Sequence, residues 1–566
     1  MTNSSCSGQG TANQPGRWRR SLTALLCAGA IAVLMLTALP TLCYPLTRDQ
    51  GAYAYIADLM MRGGVPYRDA WDLKPPAVYL LYALAFSLFG RSELAIRLFD
   101  VLYALLSAAS LYVLARDVFS DHHIAALSAW LYPVSYYALF HFYSAANPEA
   151  FMVPLLVTSA WGMVRFVRTR GAWCLFLAGV AGGLAFWFKP TAELVLAAML
   201  LWTLLQSWSR KYSMAGMVGQ LAVFTVGGLL GLLPVGLFLN GRGLQELIAI
   251  WRAYGTRAYL GARGLALADG PLAMLDVLAI YLREWQLLVW LTLAGSAAVL
   301  IQGRRQQSRP GAVCTEPGGI LVVFLLASLA ATLLQGKLFE YQWIPALAPA
   351  VVLSSVGAVS LAREVSRSQL SYWLTDVRSV FTVVVISSLL LSVGYDHLPR
   401  YRHLLSYVTG RMSEQEYFSQ FDIGTDFSRA GARQAAAYLR EHTSPLETVL
   451  IWGAEPLVNF LAERRSPTKY IFSYMLSDNG SDPHLEVRRQ EFLDQLRRSP
   501  PTYIVLVERD VTPLTPLGSR VQVDQFPAFK AVLETQYRFE GQVEDYVLYH
   551  KLANAVVPQA GMKKTS

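Results

Sequence analysis

Charged side chains are concentrated in one short segment of an otherwise apolar chain. The stretch VPYRDAWDLKPP, residues 65–76, contains Arg68, Asp69, Asp72 and Lys74. Carboxylates can accept a proton from a hydroxyl group, and cationic side chains can stabilise an anion that develops during a reaction. Apolar stretches flank the segment on both sides, so it is expected at a water–lipid boundary. Such a location fits a substrate with one end in lipid and the other in water.

The composition indicates a membrane protein. The 566 residues are 54% hydrophobic and only 15% charged, whereas a soluble protein usually has about a quarter of its residues charged. Apolar windows of roughly 20 residues, the length that crosses a bilayer as a helix, recur along the chain. The sequence therefore predicts a polytopic α-helical protein with about eleven transmembrane helices. They are expected near 21–43, 95–117, 122–140, 149–168, 172–189, 191–208, 215–239, 286–302, 319–335, 342–361 and 379–394.

Basic residues predict the orientation in the membrane. The net charge is +9, but the cations gather in short connections such as Arg165/Arg168/Arg170 and Arg304/Arg305/Arg309, so we expect no nucleic-acid partner. The positive-inside rule places these connections in the cytoplasm. The N-terminal residues 1–20 then form a cytoplasmic tail before a retained signal-anchor helix. An odd number of spans sends the C-terminal region to the opposite side.

The chain divides into a membrane region, residues 21–394, and a polar C-terminal region, residues 395–566. In the C-terminal region ETVLIWG, KYIFSY and TYIVLVE are predicted strands, helical patterns separate them, and YRFEGQVEDYVLYH is a predicted hairpin. This alternation predicts a small extracytoplasmic α/β domain. The segment IWGAEP contains a single glycine, so a Rossmann-type cofactor site is not expected.

The first outer loop, residues 44–94, is predicted to contain two helices in the membrane plane. The segment QGAYAYIADLMMR places Tyr53, Ile56 and Met60 on one helical face, as in a helix on a membrane surface. The 13 residues of AVYLLYALAFSLF are too few to span a bilayer. The charged segment is then the turn between two interfacial helices. The five cysteines show no paired spacing, so neither zinc nor a disulfide framework is predicted.

Several motifs together resemble a known family. They are RDQGAYAYIA, GVPYRDAWDLKPP, NPEAF, FWFKPTA and GKLFEYQWIPALAP. This set resembles the GT-C membrane glycosyltransferases, in the bacterial branch (glycosyltransferase family 39-like) related to protein O-mannosyltransferases and lipid A aminoarabinose transferases. The resemblance implies a GT-C fold in the bacterial cytoplasmic membrane. It also implies inverting-type transfer of a sugar from a polyprenyl-phosphate donor to a lipid, glycan or protein acceptor outside.

The resemblance also implies roles for particular residues. Asp49 matches the first-loop acid and is the candidate general base. Glu149 matches the second acid, which shares a metal ion, binds the acceptor or tunes Asp49. The predicted donor-phosphate contacts are Lys74, Lys189 and Lys337, with Arg62 and Arg68 as additional cations. Further substrate-site candidates are Tyr53, Asp72 and Tyr341.

Purely structural roles are alternatives for most of these residues. Asp49 could cap its helix or pair with Arg48, and lysines near span ends often only anchor a helix at the interface. The chain departs from the family at Gln50, where relatives often have Glu, and at Gln342, near which many have His or Arg. No cofactor is predicted, and a divalent cation at Asp49 and Glu149 stays open. Two other functions also stay open: a flippase or transporter, and a ligase or polymerase, of lipid-linked saccharides.

Overall fold

The computed structural model of the chain describes residues 28–252, 271–307, 317–367, 399–422, 428–477, 482–511 and 517–553. The predicted span at 379–394 and the predicted tail at 1–20 lie outside these residues. The described part of each of the ten other predicted spans coincides with a helix. In chain order the helices of the membrane region are α1 (Ala28–Cys43), α2 (Arg48–Met61), α3 (Ala77–Phe89), α4 (Glu93–Phe119), α5 (His122–Leu139), α6 (Pro148–Thr169), α7 (Ala172–Phe186), α8 (Ala192–Ser209), α9 (Met214–Leu239), α10 (Leu244–Ile250), α11 (Pro271–Glu284), α12 (Gln286–Gln307), α13 (Gly319–Leu334) and α14 (Ile344–Arg367).

The prediction of a polytopic helical membrane fold is confirmed. Among the described residues six helices are long and apolar enough to cross a membrane, or seven if α1 and α2, which meet at a 66° bend, form one broken span. Helices α3, α7 and α13 are apolar but shorter. The number of about eleven spans therefore stays a prediction.

Charged contacts identify one end of the helix bundle and so distinguish it from the other. At one end Arg165 lies 3.4 Å from Asp117 and Arg363 pairs with Asp121. The guanidinium of Arg210 donates to the carbonyl of Val167 at the same end. Helices α6 and α8 both run toward this end, so their first turns lie at the other end, together with the first outer loop. That second end is where the candidate site forms.

A close helix–helix contact fixes the position of α7, which leads into the FWFKP turn. A Cβ atom added at Gly183 would lie 2.1 Å from the carbonyl oxygen of Gly228 on α9. No side chain fits at that distance, so glycine allows the two backbones to touch, as small residues do in membrane helix pairs. The contact fixes the end of α7, three residues before Lys189.

The C-terminal region contains the small α/β domain predicted from the sequence. A helix at 399–408 (α15) and Glu414–Ser419 (α16) lead into it. The domain, residues 428–553, contains α17 (Arg429–His442), β1 (Val449–Trp452), α18 (Leu457–Ala462), α19 (Leu485–Arg498), β2 (Tyr503–Val507), α20 (Ser519–Asp524), α21 (Pro527–Gln536), β3 (Tyr537–Val543) and β4 (Tyr546–Lys551). The strand order is β1-β2-β4-β3, with β1 and β2 parallel and the other two pairs antiparallel.

Alternating side chains bury both faces of this sheet. Val449 and Ile451 belong to the core that β1 shares with α17 and α18. Trp452 points to the other face, where its ring centroid lies 4.4 Å from that of Phe529 on α21.

The strand predicted for KYIFSY is wrong. Residues 470–472 are extended and buried but belong to no sheet, and Ser473–Leu476 form a 3-10 helix. The parallel partner of β1 is β2, which leaves this segment with isolated backbone hydrogen bonds. One of them joins Ser473 N to the carbonyl of Gly453 over 2.9 Å. Burial produced a strand-like sequence pattern here without strand pairing.

Candidate active site

Asp49 lies in the first turn of α2, and buried polar groups hold that turn in place. Gln50 accepts a hydrogen bond from Thr47 N (3.1 Å) and another from Arg97 (3.0 Å). Its amide nitrogen donates to the carbonyls of Tyr143 (3.3 Å) and Ala145. The glutamine that departs from the family pattern therefore ties α2 to the loop before α6. Sequence reasoning noted only the acid that it replaces.

The charged turn holds Lys74 by its backbone. The carbonyl of Lys74 accepts a hydrogen bond from the Tyr67 hydroxyl over 2.8 Å. Asp72 is buried, and its carboxylate accepts from the Tyr79 hydroxyl (2.7 Å) and from Leu73 N (2.6 Å). Burial raises the pKa of Asp72, while Tyr79 and the charge of Lys74 oppose the shift. Asp72 organises the turn that presents the lysine.

Lys189 forms a buried ion pair with Glu149, the second candidate acid. The side chains are 14% and 1% exposed. Burial lowers the pKa of Lys189, and the Glu149 carboxylate opposes that effect. The second oxygen of Glu149 has no hydrogen-bond partner among the described residues. The backbone joins the Lys189 turn to residues 65–76, which contain Lys74 and are termed the lysine turn below, because Ala77 N donates to the carbonyl of Trp187 over 3.2 Å.

The Tyr341 ring brings the two lysines together. The Lys74 ammonium lies 5.5 Å from the ring centroid and the Lys189 ammonium 5.7 Å from it. These are cation–π distances. The charges of Lys74 and Asp49 both act on Lys189. Residues distant in sequence thus form one cationic cluster, and the candidate base Asp49 lies within electrostatic reach of it.

Tyr53 lies within the same cluster. It is 1% exposed, and its ring centroid lies 6.0 Å from that of Tyr79 and 5.8 Å from that of Tyr82. Asp49, Asp72, Glu149 and Tyr341 are all within electrostatic reach of its hydroxyl, which has no hydrogen-bond partner among the described residues. An unpaired hydroxyl in this position can donate to a substrate oxygen.

The other predicted cations lie in different surroundings. Arg62 ends α2 and pairs with Asp58 over 3.1 Å, at the end of the helix opposite Asp49. Arg68 is 57% exposed and pairs with Asp69 over 2.7 Å. Lys337 is buried in the loop that carries Tyr341, and burial lowers its pKa to about 8.

A histidine–glutamate pair that the sequence did not reveal fixes the Tyr341 loop. His141 Nδ1 lies 2.7 Å from the Oε1 atom of Glu340, which is buried, and His141 N donates to the second oxygen over 3.0 Å. The Ser144 hydroxyl donates to the same carboxylate. Glu340 raises the pKa of His141. The partners are 199 residues apart, so no local pattern could have shown the pair. No group of three His, Cys, Asp or Glu side chains in the described chain could hold a metal ion.

Comparison with known proteins supports the resemblance seen in the motifs. Residues 73–234 match the family model for dolichyl-phosphate-mannose-protein mannosyltransferase. An uncharacterised protein of Aquifex aeolicus (strain VF5) is 26% identical over 157 residues, which are 27% of this chain and 31% of the relative. The match thus spans about a third of that relative. The family match includes Lys74, Glu149 and Lys189 but not Asp49 or Tyr341.

Solved structures with a similar fold extend over nearly the whole chain. The crystal structure of ArnT from Cupriavidus metallidurans bound to undecaprenyl phosphate has a TM-score of 0.57 at 14% identity, covering 95% of this chain and 99% of the other. The apo structure of ArnT gives 0.56 at 14% identity, covering 96% and 100%. The two structures confirm the predicted fold, and the family-model match confirms the resemblance to membrane glycosyltransferases over residues 73–234.

Proposed function

We propose that the chain transfers a sugar from a polyprenyl-phosphate donor to an acceptor on the extracytoplasmic face of a bacterial cytoplasmic membrane. The observation that carries this proposal is the cluster in which Lys74 and Lys189 converge on Tyr341, within electrostatic reach of Asp49. Two lysines and an acid at one end of a helix bundle suit a lipid phosphate and a hydroxyl nucleophile. The N-terminus is then cytoplasmic and the C-terminal domain extracytoplasmic.

In the proposed reaction the acceptor oxygen attacks the anomeric carbon from the side opposite the phosphate. The bond between that carbon and the phosphate oxygen breaks, and both its electrons remain on the lipid phosphate. Asp49 accepts the proton of the acceptor, as a general base does. Lys74 and Lys189 lie where the phosphate gains charge, and fixed cations in a site with little water stabilise such charge.

Glu149 supports Lys189 in this scheme. A buried lysine tends to lose its proton because the charged form is poorly solvated. The Glu149 carboxylate opposes that loss, so Lys189 can keep its charge before the donor arrives. The backbone carbonyl of Lys74 and the carboxylate of Asp72 are held by Tyr67 and Tyr79, which places Lys74 before binding and reduces the cost of ordering it.

The test is transfer by the purified full-length protein in detergent, with a panel of polyprenyl-phosphate sugars and lipid, glycan and peptide acceptors. We expect transfer with at least one pair, and a donor KM raised at least tenfold by Lys74→Ala. The control is Lys530→Ala, since Lys530 forms an exposed pair with Asp524 on the C-terminal domain. Activity with and without a chelator decides whether a divalent cation takes part.

Two outcomes would contradict the proposal. Movement of the carrier lipid across vesicles without any transferred product would identify a flippase. Transfer of a whole glycan from a pyrophosphate-linked donor, with no use of monophosphate donors, would identify a ligase or polymerase.

A further inference from the structure

Helix α2 has two buried faces that contact different parts of the protein. Residues 50–59 are all buried, although a helix lying on a membrane surface would expose one side. Asp49 and Tyr53, four residues apart, share one face, and the charge of Asp49 acts on both Tyr53 and Lys189. Arg48, Gly51 and Tyr55 follow at spacings of three and four residues and so share another face.

The second face of α2 is covered by the C-terminal domain. A Cβ atom added at Gly51 would lie 2.6 Å from the Cβ and 3.0 Å from the Cα of Leu457, the first residue of α18. Real Cβ atoms essentially never approach another heavy atom to 2.6 Å, so even alanine would force the two helices apart. Because position 51 has no side chain, α18 can pack directly against α2.

Hydrogen bonds extend this contact along the chain after α18. The Tyr55 hydroxyl accepts a hydrogen bond from Ser466 N over 2.9 Å. Trp71 N, in the lysine turn, donates to the carbonyl of Lys469 over 2.7 Å. The continuous stretch 457–469, which we term the docking segment, therefore contacts both α2 and the lysine turn.

Aromatic packing joins the same segment to the next membrane helices. The Phe460 ring stacks on that of Phe86 on α3 at a centroid distance of 5.4 Å. The Arg91 guanidinium lies 4.1 Å from the Phe460 ring centroid, and it also donates to the Phe460 carbonyl. Arg91 in turn lies 2.8 Å from Asp58 on α2. The interface is packed and hydrogen-bonded across several elements.

We infer that the C-terminal domain is a working part of the active site: its docking segment positions α2 so that Asp49 faces the lysine pair, with Gly51 and Tyr55 as positioning residues. The inference rests on the proposed function. Lys74 and Lys189 lie outside α2, so moving this helix changes the place of the base more than the place of the phosphate. The effect is therefore expected in kcat rather than in the donor KM.

The experiment compares Gly51→Ala, Tyr55→Phe and the matched control Gly541→Ala in the full-length protein. Position 541 lies on β3, and a Cβ atom added there meets nothing within 4 Å. We expect kcat to fall on the order of 10- to 100-fold in Gly51→Ala, since misplacing a reacting group by about 1 Å has an effect of this size. A smaller fall is expected in Tyr55→Phe, and the donor KM should stay within twofold in all three.

A double variant separates positioning from general damage. Leu457→Gly removes the Cβ atom that an alanine at position 51 would strike, so Gly51→Ala/Leu457→Gly should regain part of the lost kcat. Independent losses would instead multiply, as they do for sites that do not interact. Multiplied losses would overturn the assignment of Gly51.

Hydrogen exchange tests the docking without relying on activity. Amides of residues 48–61 should exchange faster in Gly51→Ala than in the wild type and remain unchanged in Gly541→Ala. Unchanged exchange in α2 would overturn the inference whether or not transfer occurs. Faster exchange with unchanged kcat in an active enzyme would equally overturn it. Absence of transfer by the wild type would count against the proposed function, while the exchange result would still decide the docking.

Discussion

The ion pair between Lys189 and Glu149 gives a prediction in which structure and catalysis can be separated. The variants are Lys189→Met, Glu149→Met and the double variant, because methionine has a similar length and carries no charge. Each single variant removes one partner and leaves the other charge buried. The double variant removes both charges together.

The size of the effect follows from burial. The Glu149 and Lys189 side chains are 1% and 14% exposed, so water cannot replace the missing partner. Breaking a buried pair at one side costs about 3–5 kcal/mol, whereas replacing both partners by apolar groups is often neutral. Each single variant should therefore lose about 3–5 kcal/mol of unfolding free energy. The double variant should lose on the order of 1 kcal/mol or less.

The assay measures unfolding in mixed detergent micelles by tryptophan fluorescence, alongside transfer activity for each variant. The control is Lys530→Met, whose partner Asp524 is 55% exposed; exposed pairs contribute little to stability. We expect the double variant to regain stability but not activity, because Lys189 would still be missing from the phosphate site. A loss in Lys189→Met no larger than the control would refute the buried pair. Recovery of transfer in the double variant would refute the phosphate role of Lys189.

Three further predictions concern the loops of the site. Burial lowers the pKa of Lys337 from 10.5 to about 8. Between these two pH values the unfolded state binds more protons than the folded state, so the free energy of unfolding should rise with pH there. Lys337→Met should flatten that rise in a pH series of unfolding curves. If the Lys337 charge binds donor phosphate, the donor KM should rise as the pH passes about 8, and Lys337→Arg should keep it constant. Asp72→Ala should lower stability by about 1–3 kcal/mol, because Leu73 N loses its acceptor and the Tyr79 hydroxyl keeps only the longer bond to the Lys74 carbonyl. It should also raise the donor KM in the transfer assay. Arg68→Ala should change the donor KM less than twofold, since that side chain is exposed and pairs with Asp69; a tenfold increase would show that Arg68 reaches the donor.

Local patterns in the sequence were enough to predict most helices. Apolar runs of span length depend on neighbouring residues, and every predicted span that falls on described residues coincides there with a helix. The same holds for the hairpin of β3 and β4, whose turn lies within a few residues. The wrong strand at KYIFSY shows the limit, because burial alone produced its pattern. Strand pairing depends on which distant segment lies alongside.

Only those site residues that stand in a recognisable sequence motif could be predicted. Asp49, Lys74 and Lys189 stand in recognisable segments, but the approach of the two lysines to one tyrosine ring depends on the packing of three separate chain segments. The sequence showed at Gln50 only that glutamine replaces the usual Glu. Its hydrogen bonds to the loop before α6 join distant segments and are visible only in the folded structure. The docking of residues 457–469 on α2 joins segments about 400 residues apart. No periodicity in either segment indicates the other.

The most direct test of the central claim is the rate of sugar transfer by Asp49→Asn, measured at saturating donor and acceptor together with the binding of the donor lipid. Asparagine keeps the size of the side chain but cannot accept the acceptor proton. We expect kcat to fall at least about 100-fold, within the range that general-base catalysis contributes, with donor affinity within twofold of the wild type. Transfer at the wild-type rate by Asp49→Asn would contradict the role of Asp49 as the general base.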